Sequence, residues 1–186
     1  MSREYKLLFA GPMGAGKTTA IAAISDSAPI STEARNTDIA QHSKAQTTVG
    51  FDYGEVALEG GDRLRLYGMP GQSRFDFIWK VASAGALGVV MLADNSRPDP
   101  LADLSACIDA FTELAAAHAM VVGVGRGGEG RLGIDDYGEW LAARGHVAPV
   151  FSVDVRRRDD VLLLIDALLN QIETRELLAG TTESRA

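Results

Sequence analysis

The stretch that decides the predicted fold is GPMGAGKT, residues 11–18, which follows directly on the apolar run YKLLFA at residues 5–10. We call residues 11–18 the glycine loop. It matches the pattern G-x-x-x-x-G-K-[ST], in which glycines let the backbone curl so that successive N–H groups face phosphate oxygens. Lys17 adds a point charge, the following helix adds its positive N-terminal end, and the Thr18 hydroxyl can bind Mg²⁺. The pattern therefore predicts a polyphosphate site, the alternative being a glycine-rich turn without a ligand. The predicted nucleotide contacts in this segment are Gly11, Met13, Gly14, Ala15, Gly16, Lys17, Thr18 and Thr19.

The composition of the 186-residue chain indicates one globular domain, with 46% hydrophobic and 23% charged residues. The net charge of −7 argues against a general nucleic-acid surface, which needs clustered Lys and Arg. The single cysteine, Cys107, excludes an internal disulfide. No apolar stretch has membrane-spanning length and the N-terminus lacks the features of a signal peptide. We therefore expect a cytoplasmic protein without an integral membrane segment.

Strand-like and helix-like segments alternate along most of the chain, a pattern typical of an α/β protein with a mostly parallel sheet. The apolar runs at 86–93 and 120–124 predict strands buried on both faces. A last strand is predicted at 147–153, and Pro149 favours an edge position for it. Two alternating segments, 51–58 and 63–67, flank Gly60-Gly61 and predict a hairpin with one antiparallel strand.

Apolar residues spaced by three and four predict helices over 101–114, 134–141 and 161–172. The polar segment 178–186 predicts a flexible tail after a single domain at 1–177.

Two further motifs follow the glycine loop. TTVGF, residues 47–51, puts Thr48 where a hydroxyl could complete a Mg²⁺ shell and sense a γ-phosphate. Two β-branched residues opening a strand are the alternative. Gly71-Gln72 follows a predicted strand, so the Gly71 N–H could face the same phosphate and the Gln72 amide could orient an attacking water. The alternative for this pair is a simple turn.

In this order and spacing, the motifs resemble those of Ras-like small GTPases from residue 4 to about residue 175. TTVGF followed by the Gly60-Gly61 hairpin resembles the Arf type. LYGMPGQ, residues 66–72, is similar to a bacterial branch that includes the gliding-motility (MglA-like) GTPases and the β subunit of the signal-recognition-particle receptor. That branch commonly has G-x-P-G-Q where eukaryotic relatives have D-x-x-G-Q.

The resemblance implies a three-layer P-loop NTPase fold with a six-stranded, mostly parallel sheet and one antiparallel hairpin strand at its edge. It implies two nucleotide-dependent switches, at 31–48 and 69–83. It also implies that Lys17 contacts the β- and γ-phosphates, that Thr18 and Thr48 bind Mg²⁺, and that Gly71 donates to the γ-phosphate. Gln72 would position the water, which makes Lys17 and Gln72 the expected catalytic residues.

Two positions depart from the family pattern. Gly68 stands where relatives have the acidic residue of D-x-x-G, a water-mediated Mg²⁺ partner. Asp94 could substitute for it from a neighbouring strand, or act only as a turn residue. Gly128 stands where relatives have the aspartate that accepts hydrogen bonds from guanine. Glu129 could take that role if the loop shifts, and Arg126 could stack on a base of either kind.

We therefore expect a GTP-binding molecular switch with slow GTP hydrolysis and with GTP or GDP and Mg²⁺ as cofactors. Slow hydrolysis implies a GTPase-activating partner, by resemblance of the bacterial roadblock type, that docks with effectors on the switch regions. Two alternatives stay open. One is a P-loop protein that does not select its base or that hydrolyses ATP, and the other is a pseudo-GTPase that serves as a constitutive binding module.

Overall fold

The structure, a computed structural model, describes residues 2–28, 30–31, 51–71, 76–128 and 131–183. Within these ranges the strands are β1 (Glu4–Ala10), β2 (Ile30–Ser31), β3 (Asp52–Ala57), β4 (Arg63–Gly68), β5 (Gly88–Asp94), β6 (Met120–Gly125) and β7 (Val150–Ser152). The α-helices are α1 (Lys17–Ile24), α2 (Asp76–Ser83), α3 (Pro100–Ala110), α4 (Thr112–Ala116), α5 (Ile134–Ala142) and α6 (Arg158–Glu183). Strands and helices alternate over most of the described chain, as the sequence predicts.

The strands form one sheet in the order β2-β3-β4-β1-β5-β6-β7. Strands β4, β1, β5, β6 and β7 are parallel neighbours, whereas β3 is antiparallel to both β2 and β4. The predicted α/β class, the mostly parallel sheet and the single antiparallel strand are therefore confirmed. Among the described residues, the six strands other than the two-residue β2 match the predicted number.

Of these six strands the antiparallel β3 is the outermost, as predicted, and its outer side is partly covered by the additional two-residue β2. The chain that follows α1 returns along the outer side of β3, where β2 pairs with Tyr53 and Asp52. Asp26 extends this cover, because its N–H donates to Glu55 O at 2.9 Å and its carboxylate accepts from Ala57 N at 2.6 Å. An uncovered edge strand exposes unpaired backbone groups, and this segment satisfies them.

The β3–β4 hairpin forms where the glycine pair predicts it. A short 3₁₀ turn covers Glu59–Gly61, and both glycines adopt positive φ angles, 79° at Gly60 and 88° at Gly61. Residues with a side chain rarely adopt this conformation, so the Gly-Gly pair allows the chain to reverse here.

Helices pack on both faces of the sheet. On one face α1 and α6 meet residues such as Leu7 and Phe9 of β1, and on the other α2, α3, α4 and α5 meet residues such as Leu8. Strand β5 is buried along its whole length, as its unbroken apolar sequence predicts. The carboxyl ends of the parallel strands open between the two helical layers, where ligands of open α/β sheets commonly bind.

Three boundaries differ from the predicted ones. The helix expected over 101–114 is split into α3 and α4 at Phe111, where φ is −115°. The spacing of apolar residues did not predict this break, because Phe111 falls at a position where a continuous helix would also have an apolar residue. Its ring packs on Trp79 of another helix. Strand β7 is shorter than predicted but lies at the sheet edge, as Pro149 indicates. Helix α6 continues to Glu183, through part of the segment predicted as a tail. Of the described helices, none is both long and apolar enough to cross a membrane.

Candidate functional site

The glycine loop joins β1 to α1 at the carboxyl end of the central strand. Gly11, Gly14 and Gly16 have φ angles of 146°, 82° and 95°, a region that favours glycine. Two of them also have no room for a side chain. A Cβ atom on Gly11 would lie 2.3 Å from Leu92 O, and one on Gly16 would lie 2.7 Å from Val155 Cγ2. The glycines that the sequence singles out are therefore required by backbone conformation and by close packing.

Lys17 is the first residue of α1, and its side chain folds back onto the glycine loop. Its Nζ donates to Gly11 O at 2.9 Å and to Pro12 O at 2.8 Å, and the residue is only 8% exposed. Burial lowers the pKa of the Lys17 ammonium below its ordinary value of 10.5, since an apolar environment disfavours the charged form. The Lys17 ammonium therefore lies beneath the glycine loop and donates to two backbone carbonyl groups. A bound anion would stabilise its charge further.

Thr18 contacts a carboxylate that the sequence analysis did not identify. Its Oγ1 donates to Asp52 Oδ2 at 2.5 Å. Asp52 opens β3 directly opposite Gly68 of β4. A Cβ atom on Gly68 would lie 2.9 Å from Asp52 Cβ and 3.1 Å from Asp52 Oδ2. The Asp52 carboxylate therefore occupies the space that a side chain at position 68 would need.

The signal for Asp52 was present in the hairpin register. Counting outward from Gly60 pairs Ala57 with Arg63, three residues away on each side, and the same count brings Asp52 opposite Gly68. A glycine in place of an expected acidic residue, with an aspartate across from it on the next strand, indicates an exchange of positions.

Gly71 approaches the glycine loop from the end of β4. A Cβ atom on it would lie 2.5 Å from Met13 N and 2.7 Å from Pro12 C. The Met13 side chain is turned outward and is 61% exposed. The structure therefore brings Gly71 together with the loop, as predicted, and leaves no room for a side chain between them.

Arg126 reaches the glycine loop from the end of β6. It has a φ of 55°, its Nη2 donates to Gly14 O at 3.0 Å, and its Nη1 donates to the carboxylate of Asp94. Asp94 is 6% exposed and also accepts from Ser96 N and Ser96 Oγ. Burial is the largest influence on the Asp94 pKa and raises it, but the hydrogen bonds from Ser96 and the charge of Arg126 together bring it below 3.8.

These contacts match the interpretation of Asp94 as a turn residue. Its carboxylate holds the turn at Ser96 and pairs with Arg126, which is the behaviour of a turn residue. The carboxylate that contacts Thr18 is that of Asp52.

The loop beyond β7 closes the other side of the glycine loop through Val155. Next to it, Asp154 accepts from the backbone N–H of Arg156 at 3.1 Å and from its guanidinium Nη2 at 2.6 Å. These hydrogen bonds lower the pKa of Asp154 to about 2. At Gly128, where Ras-like proteins carry the base-reading aspartate, a Cβ atom would meet nothing within 4 Å.

Several predicted residues lie outside the described part of the chain. These are Thr48 of the first switch, Gln72 of the second, and Glu129 beside Gly128. Their roles stay predictions. Within the described ranges, no group of three or more His, Cys, Asp or Glu residues forms a metal cluster.

Comparison with known proteins adds no relative. No protein-family model matches the chain, and no curated protein matches it significantly.

Proposed function

We propose that this protein is a P-loop nucleoside-triphosphate-binding protein of the Ras-like type, a molecular switch that binds GTP and hydrolyses it slowly. The observation that carries the proposal is the glycine loop, with three positive-φ glycines ahead of a buried lysine at the start of α1. A backbone of this shape turns N–H groups toward one point, and the helix terminus and Lys17 add positive charge there. Such a site fits the phosphate chain of a nucleotide.

Mg²⁺ fits the residues beside the loop. It prefers hard oxygen ligands, and the hydroxyl of Thr18 and the carboxylate of Asp52 already lie within hydrogen-bond distance of each other. Thr18 would bind the ion, and Asp52 would hold its water shell in place of the acidic residue missing at position 68. When bound, Mg²⁺ neutralises charge that develops on the phosphate oxygens. Thr48 is the second expected ligand, by resemblance.

Hydrolysis needs a water aligned with the terminal phosphate, and the protein contributes charge and positioning. Lys17 would leave the carbonyls of Gly11 and Pro12 to contact the β- and γ-phosphates, which would give its buried ammonium an anionic partner at close range. Gln72, as predicted from the sequence, would orient the water. Without an arginine supplied by a partner, such sites turn over at about 10⁻⁴ to 10⁻² s⁻¹. We therefore propose an activating partner of the roadblock type and effectors that bind the switch regions.

A second candidate, a P-loop protein that does not select its base, is favoured by one observation. The described loop after β6 has open space rather than a carboxylate at Gly128. Arg126 could stack on guanine or adenine alike, since cation–π attraction does not depend on the pattern of donors and acceptors. Selection of guanine at 10⁴-fold or more requires paired hydrogen bonds, so the base preference must be measured.

The test is calorimetric titration of the purified chain with GDP, GTP, ADP and ATP, each with and without Mg²⁺. The proposal expects Mg²⁺-dependent binding of guanine nucleotides, and equal affinity for adenine nucleotides would favour the second candidate. Lys17→Ala should abolish triphosphate binding. Lys6→Ala is the matched control, because Lys6 lies on the same strand–helix unit but contacts Ala84 O and the Tyr67 ring.

The absence of binding by any of the four nucleotides to folded protein would refute the proposal. The pseudo-GTPase alternative predicts instead that a protein partner binds the Lys17→Ala variant and the unchanged chain equally well. A switch predicts that this variant loses the partner.

A further inference from the structure

Helix α2 carries a buried tryptophan that is hydrogen-bonded to the segment next to the glycine loop. Trp79 is 5% exposed, and its Nε1 donates to Pro70 O at 3.0 Å. Its ring stacks on Phe111 with the ring centroids 5.9 Å apart and an interplanar angle of 21°. Phe111 itself is 1% exposed at the α3–α4 junction. The indole N–H therefore comes from a rigid part of the core.

The hydrogen bond acts on the peptide group that contains the Gly71 N–H. The carbonyl of Pro70 and the N–H of Gly71 belong to one planar unit, so an orientation imposed on the oxygen is also imposed on the N–H. None of the peptide bonds in the described residues is cis, and in a trans peptide the two groups point in opposite directions. Trp79 thus fixes the direction in which Gly71 can donate a hydrogen bond.

Gly71 lies beside the glycine-loop carbonyl groups that Lys17 contacts. Lys17 Nζ contacts the carbonyl oxygens of Gly11 and Pro12, and a Cβ atom on Gly71 would lie 3.0 Å from the same Gly11 O. In loops of this pattern the backbone amides hold the α- and β-phosphates and the lysine reaches the β- and γ-phosphates. A donor beside the lysine can therefore reach the terminal phosphate, which is the role that the proposed function gives to the Gly71 N–H.

We propose that Trp79 is a positioning residue that makes the site prefer triphosphate over diphosphate, by holding the Pro70–Gly71 peptide in its donating orientation. The inference rests on the proposed nucleotide-binding function and adds the residue that sets the response to the terminal phosphate. Trp79 does not touch the ligand. It acts through Gly71, and its contribution is the ordering of one donor before the ligand arrives.

The test replaces Trp79 by Phe, which keeps an aromatic ring against Phe111 and removes the N–H donor. Affinities for GDP and for a non-hydrolysable GTP analogue are measured by titration with Mg²⁺. The ratio of triphosphate to diphosphate affinity should fall about fivefold to tenfold, the equivalent of one hydrogen bond. Affinity for GDP should stay within about twofold of the unchanged chain, since the inference assigns the Gly71 donor to the terminal phosphate, which GDP lacks.

Two control variants separate positioning from general loss of stability. Val121→Ala removes two methyl groups from the core on the opposite face of the sheet, so it should lower the melting temperature without changing the affinity ratio. Trp140→Phe removes the other tryptophan, which lies on α5 with the Arg144 guanidinium carbon 3.9 Å from its ring centroid. This variant should change neither the melting temperature nor the affinity ratio.

Trp140→Phe also leaves Trp79 as the single indole, which allows a second measurement that needs no change at Trp79. The triphosphate analogue should shift the emission of Trp79 and GDP should not.

Each result decides the inference. The positioning role would be overturned if Trp79→Phe lost affinity equally for both nucleotides, if its affinity ratio were unchanged, or if both nucleotides gave the same Trp79 emission. Each of these results would leave the nucleotide-binding function intact. If the unchanged chain bound no nucleotide, the proposed function would fail and this inference with it. Should Trp79→Phe not fold, the emission measurement alone decides.

Discussion

The exchange of a carboxylate between two neighbouring strands can be tested by reversing it. Gly68→Asp would bring a second carboxylate beside Asp52, with its Cβ 2.9 Å from Asp52 Cβ. Asp52→Gly removes the first carboxylate, and only glycine clears the space, because the closest atom is Asp52 Cβ itself. The double variant moves the carboxylate from β3 to β4, where its Cβ stands 3.1 Å from the present position of the oxygen that Thr18 contacts.

The expected magnitudes follow from charge and packing. Two like charges about 4 Å apart repel by roughly 4 kcal/mol at an effective dielectric constant of about 20. Partial exposure of Asp52 reduces this to about 2 kcal/mol, and overpacking adds about 1 kcal/mol, so Gly68→Asp should lower the free energy of unfolding by about 3 kcal/mol. Asp52→Gly should cost about 2 kcal/mol for the lost hydrogen bond and the added chain entropy. The double variant should lose only about 2 kcal/mol, a coupling of about 3 kcal/mol.

Urea unfolding of the four proteins measures this coupling, and the Mg²⁺ dependence of nucleotide affinity is followed in parallel. Asp52→Gly should reduce the effect of Mg²⁺ on affinity, and the double variant should restore most of it. Additive losses in stability, together with no recovery of the Mg²⁺ effect, would refute the idea that Asp52 replaces the acidic residue missing at position 68.

Three further predictions concern the same site. Gly71→Ala would place its Cβ 2.5 Å from Met13 N, so triphosphate affinity measured by titration should fall at least tenfold, and a wild-type affinity would contradict the close approach. The pKa of Lys17 is lowered by burial, so the unfolded chain binds more protons than the folded one between that pKa and 10.5, and stability should rise with pH in this interval. In urea unfolding at several pH values, Lys17→Met should reduce the rise of the unfolding free energy with pH by up to about 1.4 kcal/mol per pH unit. An unchanged pH dependence would show that other groups cause it. Arg126→Ala leaves the buried Asp94 without its cationic partner and should lower the free energy of unfolding by about 2 kcal/mol, whereas Arg126→Lys should retain part of it.

The parts of the fold predicted correctly are those encoded in short windows of sequence. Unbroken apolar residues predict β5 and β6, and the Gly60-Gly61 pair predicts the hairpin between β3 and β4, because each signal depends on a backbone conformation or a periodic burial over a few residues. The helix break at Phe111 was missed for the same reason, since the apolar spacing on either side of it is that of one continuous helix.

In the candidate site, the amino-acid sequence alone was enough to predict the backbone conformation of the glycine loop. The need for positive φ at Gly11, Gly14 and Gly16, and the place of Lys17 at the start of a helix, follow from residue types in consecutive positions.

The partners of these residues were decided by the packing of distant segments. Thr18 and Asp52 are 34 positions apart in the chain, and Arg126 and Gly14 are 112 apart. Trp79 donates to Pro70 O over a shorter separation of nine positions. A local pattern specifies what a backbone segment can do, whereas strand register and helix packing specify which side chains meet. The glycine at position 68 could be read from the sequence, and the hairpin register places Asp52 opposite it, but the contact of Asp52 with Thr18 depends on how helix α1 packs against the sheet.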